Sequence, residues 1–263
     1  MALASLCSEH MQARNDSPKF VAFVVDHRLR DGSTLEAQKV VQQLRRLGIE
    51  SHMLAVNIKA GTDSPQVQHV ESIARDHRYQ ALGKACYAHG INQLLVAHHA
   101  DDQAETVLLR LVGKFYGTGL QGMKQNVPIP ACQGIYGVSE SGQPRHAMNP
   151  QKSEEPHMQI EDGGVMVMRP LLRFSKQDLI SYCQSTNVKW FEDVTNADTT
   201  YTKRNAVRYA LSHALLPAAL RTRRLCVLSA QIADHMRAIE REAEKLYTQL
   251  PIELDLASGS ITI

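Results

Sequence analysis

Short continuous apolar runs alternate along this chain with longer stretches whose apolar residues recur every three or four positions. Phe20-Val-Ala-Phe-Val-Val-Asp26 is unbroken and ends in a carboxylate, which predicts a strand buried on both faces. Ser33 to Leu47 predicts an amphipathic helix with Leu35, Val40, Val41, Leu44 and Leu47 on one side and Gly48 as its stop. Ile49 to Val56 predicts a second strand, Gln66 to His89 a long helix closed by Gly90, and Gln93 to Ala97 a third strand. Strands alternating with helices of this length predict an α/β fold with a doubly wound parallel sheet. Ligands of such sheets sit beyond the carboxyl ends of the strands, which directs attention to Asp26-His27 and to the residues after Ala97.

From Pro128 to Gly164 the periodicity dissolves into Gly, Pro, Ser and Gln, which predicts a long, mobile insertion. Order is expected again at Val165 to Leu172, then in a helix from Ser175 to Ser185 with Ser175 as N-cap, and in a helix around Arg204 to Ala214 after a polar loop from Glu192 to Tyr201. Ala218 to Leu250 is dominated by helix formers, and Ile252 to Ile263 fits a hairpin around Ser258-Gly259. The expected organisation is a principal α/β body over 1–127 and 165–214, the insertion over 128–164, and a helical arm with a short hairpin over 215–263.

Composition changes this picture little. The chain has 263 residues, 43% hydrophobic and 21% charged, as in ordinary globular proteins. It holds no apolar run of about eighteen residues, the length a membrane helix needs. Cys7, Cys86, Cys132, Cys183 and Cys226 form no Cys-x-x-Cys pair, which argues for reduced thiols in an intracellular compartment and against a zinc ribbon. Net charge is +2, but between Val165 and Glu242 twelve Lys/Arg face six Asp/Glu. That excess suits a phosphate-rich partner and equally a solvated helical surface.

The chemistry concentrates in His98-His99-Ala100-Asp101-Asp102-Gln103-Ala104-Glu105-Thr106, two histidines and three acids where a strand gives way to a helix. Asp102 with Glu105 also fits an acidic capping box. Adjacent histidines on extended backbone point opposite ways, so His98 and His99 make a poor zinc pair. Arg75 and Arg78 lie one turn apart and share a helix face, suited to a phosphate or to ion pairing with Glu71. Arg204 and Arg208 likewise share a face, available to phosphate or to Asp193 and Asp198. Trp190 and Phe191 read as core, and Arg221, Arg223 and Arg224 as a generic basic cluster.

The nine-residue block resembles the signature of the tRNA(Ile)-lysidine synthetase family within the PP-loop ATP pyrophosphatases. Further segments agree in order and spacing: Asp26-His-Arg-Leu-Arg30 with Ser33 and Glu36; Ala74-Arg75 with Arg78-Tyr79; Arg110-Leu111, Gly113 and Gly119-Leu-Gln-Gly122-Met123; Arg169-Pro-Leu-Leu172; and Glu192-Asp193, Asn196, Tyr201, Arg204-Asn205 and Arg208. The resemblance spans about the first 215 residues apart from the insertion. It implies ATP-dependent ligation of L-lysine to C2 of the wobble cytidine in the CAU anticodon of an isoleucine tRNA, through an adenylated intermediate, with ATP and Mg²⁺ required. It further implies catalytic roles for Asp101, Asp102, Arg75, Arg78 and Glu105, with Asp101 and Asp102 holding Mg²⁺. Asp26, His27, Arg28, His98 and His99 would bind the nucleotide. Arg110, Arg169, Arg204, Asn205 and Arg208 would contact tRNA or phosphate.

PP-loop enzymes open with a strand leading into Ser-Gly-Gly-x-Asp-Ser, and this sequence lacks that motif. Met1 to Cys7 resembles the first helical turns that follow it. The expectation is therefore a sheet without its first, central strand, in a chain truncated after the loop, with reduced ATP affinity and turnover. Two other readings stay open: a sibling ATP-dependent tRNA thiolase, for which no cysteine motif is present, and a non-catalytic nucleotide- or RNA-binding remnant. A bacterial member of the family would be cytoplasmic; a eukaryotic one would serve mitochondrial or plastid tRNA.

Overall fold

The computed structural model describes residues 1–13, 18–28, 32–56, 67–144, 161–191, 203–251, 253–255 and 258–262. Outside them lie Leu29 and Arg30, Gln66, residues 145–160 of the expected insertion, the polar loop 192–202 with Asp193 and Asp198, and the hairpin ends Ile252 and Ile263, as does the side chain of Glu71. The chain divides into two compact units, one of residues 1–102 and 124–209, the other of 103–123 and 210–263.

The first unit is α/β. Helix α1 (Ala2–Ala13) precedes β1 (Val21–Asp26), α2 (Ser33–Arg46), β2 (Glu50–Ala55), α3 (Val67–Ala88) and β3 (Gln93–Leu95). The amphipathic pattern of α2 works as expected for Ala37 and Leu44, which are buried, whereas Leu35 stays exposed. The helix stops where Gly48 takes φ +75°, a conformation that penalises any side chain. Strand β1 pairs in parallel with β2, Val21 opposite Glu50 through Asp26 opposite Ala55. A second parallel ladder joins β3 to β7 (Met166–Met168), with β4 (Asn126–Pro128) antiparallel on the other edge of β7.

β1 and β3 share no ladder. Between them lies a cavity of about 530 Å³ lined by Val21 to Val25, by Gln93 to Ala97, and by residues of α1, α2 and α3. This gap corrects the expectation that β1 is buried on both faces: of its six residues only Asp26 is buried.

Tyr79, Leu82 and Cys86 of α3 form the core with Leu94, Val165 and Val167, joined by Ile129, Cys132 and Val138. The last three correct the expectation of a structureless stretch from Pro128. In its described part, Val138 caps the core and β5 (Ser139–Pro144) pairs antiparallel with β6 (Glu161–Gly164). Gly83 permits this approach, since a Cβ there would stand 2.5 Å from Val138 and 3.2 Å from Ile129 and Cys132. The buried residues sit singly among turns, so neither helical nor strand periodicity arises.

Helix α5 (Lys176–Ser185) begins at Ser175, whose hydroxyl accepts from Asp178 N while Asp178 accepts from Ser175 N, a complete capping box. Beyond it Trp190 and Phe191, expected in the core, are exposed at 37% and 46%. They follow Val188, the last buried residue described in this unit, and belong to no helix or strand. Helix α6 (Lys203–Ser212) starts in this unit.

The second unit holds the greater part of α4 (Ala100–Val112), a 3₁₀ turn at Gly117–Gln121, the long α7 (Thr222–Gln249) and the expected hairpin, β8 (Glu253–Asp255) with β9 (Ser260–Thr262). No helix among the described residues is long and apolar enough to cross a membrane.

Candidate active site

The carboxyl end of β3 runs through His98 and His99 into α4. Asp102 starts that helix: its Oδ2 accepts the backbone N–H of His99 at 3.0 Å, so His99 is the cap and Asp102 the third helical residue. The cap thus falls three residues earlier than an Asp102–Glu105 box would place it. Asp101 and Asp102 occupy the first turn, where the helix dipole favours negative charge. Their side chains flank the His99 ring, with Asp102 Oδ2 3.4 Å from Nε2 and Asp101 Oδ2 3.6 Å from Nδ1. The second distance is too long for a hydrogen bond, and His99 Nδ1 is buried without a partner. Asp101 Oδ2 accepts the N–H of Lys176 at 2.7 Å, tying the start of α4 to the start of α5. Asp102 Oδ1 lies 3.8 Å from Arg204 Nη2, so α6 reaches the same point.

His98 stands beside this pair. Its Nδ1 accepts from Arg169 Nε at 3.2 Å, and Arg169 Nη1 donates to Lys124 O at 2.7 Å. Burial pushes the His98 pKa down to about 4; Asp102 opposes the shift, and the guanidinium groups of Arg169, Arg204 and Arg78 reinforce it. His98 is therefore a neutral imidazole at pH 7, and with Nδ1 accepting, its proton is assigned to Nε2. Arg169, expected at tRNA or phosphate, is only 5% exposed and is held between His98 and the Lys124 carbonyl.

At the end of β1, His27 has a pKa lowered by burial and by Arg78, against the pull of Asp26, and its Nδ1 is buried without a partner. Arg75 and Arg78 do share a face, with guanidinium carbons 5.4 and 5.8 Å from the Tyr79 ring centroid, within cation–π range. Arg78 is half-buried and electrostatically coupled to His27 and His98, whereas Arg75 is exposed.

Asp26 orders the loop that follows its strand. Its carboxylate accepts from Thr34 Oγ1 at 2.6 Å, Ser33 Oγ at 2.8 Å and the Arg28 N–H at 3.1 Å. These bonds, led by the Thr34 hydroxyl, hold its pKa below the ordinary carboxylate range despite burial. They fold the chain after β1 back onto α2 and hold Arg28 at φ +51°.

The remaining expected residues lie on α6 and α4. Asn205 and Arg208 are half-buried on α6. Glu105 is buried on the part of α4 that belongs to the second unit. Arg110, expected at tRNA or phosphate, donates from Nη1 to Gly119 O at 2.5 Å and Gly122 O at 2.8 Å, so it clamps a loop. Gln103, quoted in the signature without a role, is the residue that sequence reasoning missed. Its amide nitrogen lies within hydrogen-bond distance of Gln121 O, Met123 O and Ser229 Oγ, and its oxygen accepts from Met123 N. A buried amide inside a run of acids was the available signal.

No group of three or more His, Cys, Asp or Glu side chains among the described residues could hold a metal ion. Two consecutive carboxylates do fit a Mg²⁺ that completes its shell with phosphate oxygens and water.

The chain is similar to known proteins over most of its length. A family model described as a PP-loop domain matches residues 1–215. A probable tRNA(Ile)-lysidine synthase of Schizosaccharomyces pombe is 37% identical over 201 residues, 75% of this chain and 39% of the relative. A tRNA(Ile)-lysidine synthase of Mesorhizobium japonicum is 32% identical over 217 residues, 80% of this chain and 39% of the relative. The chain thus spans about two fifths of the length of these curated relatives. Among solved structures, a U34-tRNA thiolase from Methanococcus maripaludis with its 4Fe–4S cluster superposes with TM-score 0.57 at 13% identity, over 89% of this chain and 67% of that one, a likeness of fold.

Proposed function

The chain belongs to the PP-loop domain family, and from that premise we propose that it carries the catalytic part of an ATP-dependent tRNA(Ile)-lysidine synthesis. In the first step the C2 carbonyl oxygen of the wobble cytidine, in a CAU anticodon, attacks the α-phosphorus of ATP as the bond to pyrophosphate breaks. In the second, the amino group of free L-lysine attacks C2, AMP departs with that oxygen, and the amine gives up a proton.

The observation that carries this reading is the convergence of Asp102, paired with Arg204, and neutral His98, held by Arg169, beside Arg78 at the carboxyl end of the parallel strands. The Asp102 carboxylate suits the lysine ammonium and then the attacking amine. Arg78, with Arg75, suits the phosphates and the oxyanion that develops at C2. His98 offers an Nε2 N–H to the nucleotide without adding charge, and the unpartnered Nδ1 of His27 and His99 mark two more positions for polar ligand atoms. Asp101 and Asp102 would hold Mg²⁺, which supplies charge neutralisation on the departing pyrophosphate.

The test supplies labelled lysine, ATP and a CAU-anticodon isoleucine tRNA to the chain. Lysine in the tRNA supports the reading; a thiolated product would assign the sibling chemistry, and binding without product a non-catalytic role. Asp102→Asn is expected to lower incorporation by about 10²-fold or more, in protein whose melting curve shows α4 still folded. Unchanged turnover in that variant would discredit the central assignment.

A further inference from the structure

The loop leaving α4 displays two aromatic rings, with Phe115 65% and Tyr116 64% exposed. It is a fixed loop. Beyond the Arg110 clamp on Gly119 and Gly122, Phe115 N donates to Arg110 O at 2.8 Å, Gly113 N donates to Leu109 O at 2.9 Å, and Lys114 holds φ +61°. The Phe115 ring rests on glycine: a Cβ on Gly113 would stand 2.8 Å from two ring carbons, and one on Gly119 3.1 Å from the Phe115 Cβ. The backbone thus supports the ring from one side and leaves the other open to solvent.

The surroundings are basic. The 3₁₀ turn that closes the loop is fastened to the first half of α7, where Ser229 Oγ donates to Gln121 O at 2.6 Å. Just ahead lie exposed Arg221, Arg223 and Arg224. Within this unit, residues 106–123 and 210–233 contain five Lys/Arg and no Asp/Glu; apart from Glu105 its acids all come from Asp234 onwards. A rigid, open aromatic surface in an acid-free basic field matches one class of partner, a polyanion that also carries flat, unpaired rings.

We propose that Phe115 and Tyr116 form a stacking platform for unpaired bases of the tRNA, with Lys114 and the α7 arginines drawing in its phosphodiester backbone. The proposal rests on the tRNA reading above and adds a contact that the reaction chemistry does not require.

The experiment measures the dissociation constant of the whole chain for unmodified isoleucine tRNA by fluorescence anisotropy across a salt series. Phe115→Ala and Tyr116→Ala should each weaken binding about tenfold while leaving the salt slope unchanged. Phe115→Trp should restore affinity, and Lys114→Ala should lower the slope. An abasic substitution at the stacked nucleotide should abolish the sensitivity to Phe115→Ala. Wild-type binding with both alanine variants equally tight would overturn the platform and leave the tRNA reading standing. Absence of any wild-type tRNA binding would instead sink the reading and the platform with it. A dimer that Phe115→Ala dissolves, with tRNA affinity unaltered, would assign the rings to a second copy of the chain and overturn the proposal too.

Discussion

A histidine that stays neutral at pH 7 among three guanidinium groups is a stability statement as well as a chemical one. His98 ordinarily titrates near 6.5 and is lowered to about 4 in the fold. Between those values the unfolded chain binds the proton and the folded chain does not, so stability falls as pH drops from about 6.5 to about 4 and then levels for this group. Asp26 acts later. Its folded pKa is depressed, so its stabilisation is present above the usual carboxylate range and is lost only as pH falls below 3.8. The melting temperature should therefore decline in two stages on acidification. His98→Gln should flatten the first and spare the second, with His27, lowered for the same reason, keeping part of the first slope. An equally steep fall in the variant would show that another group governs that window. The sequence placed His98 in the site but not its charge state, which depends on Arg169, seventy-one residues away.

At the scale of elements, the join between α4, the glycine loop and α7 turns on Gln103. Gly122 is in contact with it and takes φ +67°, and a Cβ there would stand 2.5 Å from the Gln103 amide nitrogen. Gly122→Ala would strain the backbone and push that amide off its partners, two costs that together make about 1–3 kcal/mol. A urea midpoint unchanged from wild type would show that the clamp is not under such constraint. Elements of this kind were unevenly legible. Apolar periodicity located the helices and strands to within a few residues, because Gly48, Gly90 and the Ser175–Asp178 pair punctuate the chain locally. Ile129, Cys132 and Val138 were not legible, since the α3 surface they pack on, where Gly83 leaves them room, lies about fifty residues away. The position of the Asp102 cap, three residues early, and the Arg110 clamp were not legible for a related reason: their partners are backbone groups, which carry no sequence label.

Across the molecule, the gap between the two parallel ladders bears on behaviour in solution. β1 bonds to β2 and β3 bonds to β7, and the opposite edges of β1 and β3 face a cavity of about 530 Å³ with a largely apolar lining. Apolar surface of this extent takes up amphiphilic dyes, so anilinonaphthalene sulfonate should fluoresce on the folded protein well below its melting temperature. Strand edges with free donors and acceptors also template pairing with other chains. Light scattering on warming should accordingly begin before the cooperative loss of circular dichroism. Val21→Lys places a long cation at the start of β1, where its stem can lie along the cavity wall and its charge reach water. That variant should scatter at a higher temperature without a higher melting point, because it blunts an edge and adds no packing. If its scattering begins where the wild type's does, the edge of β1 is not where association starts.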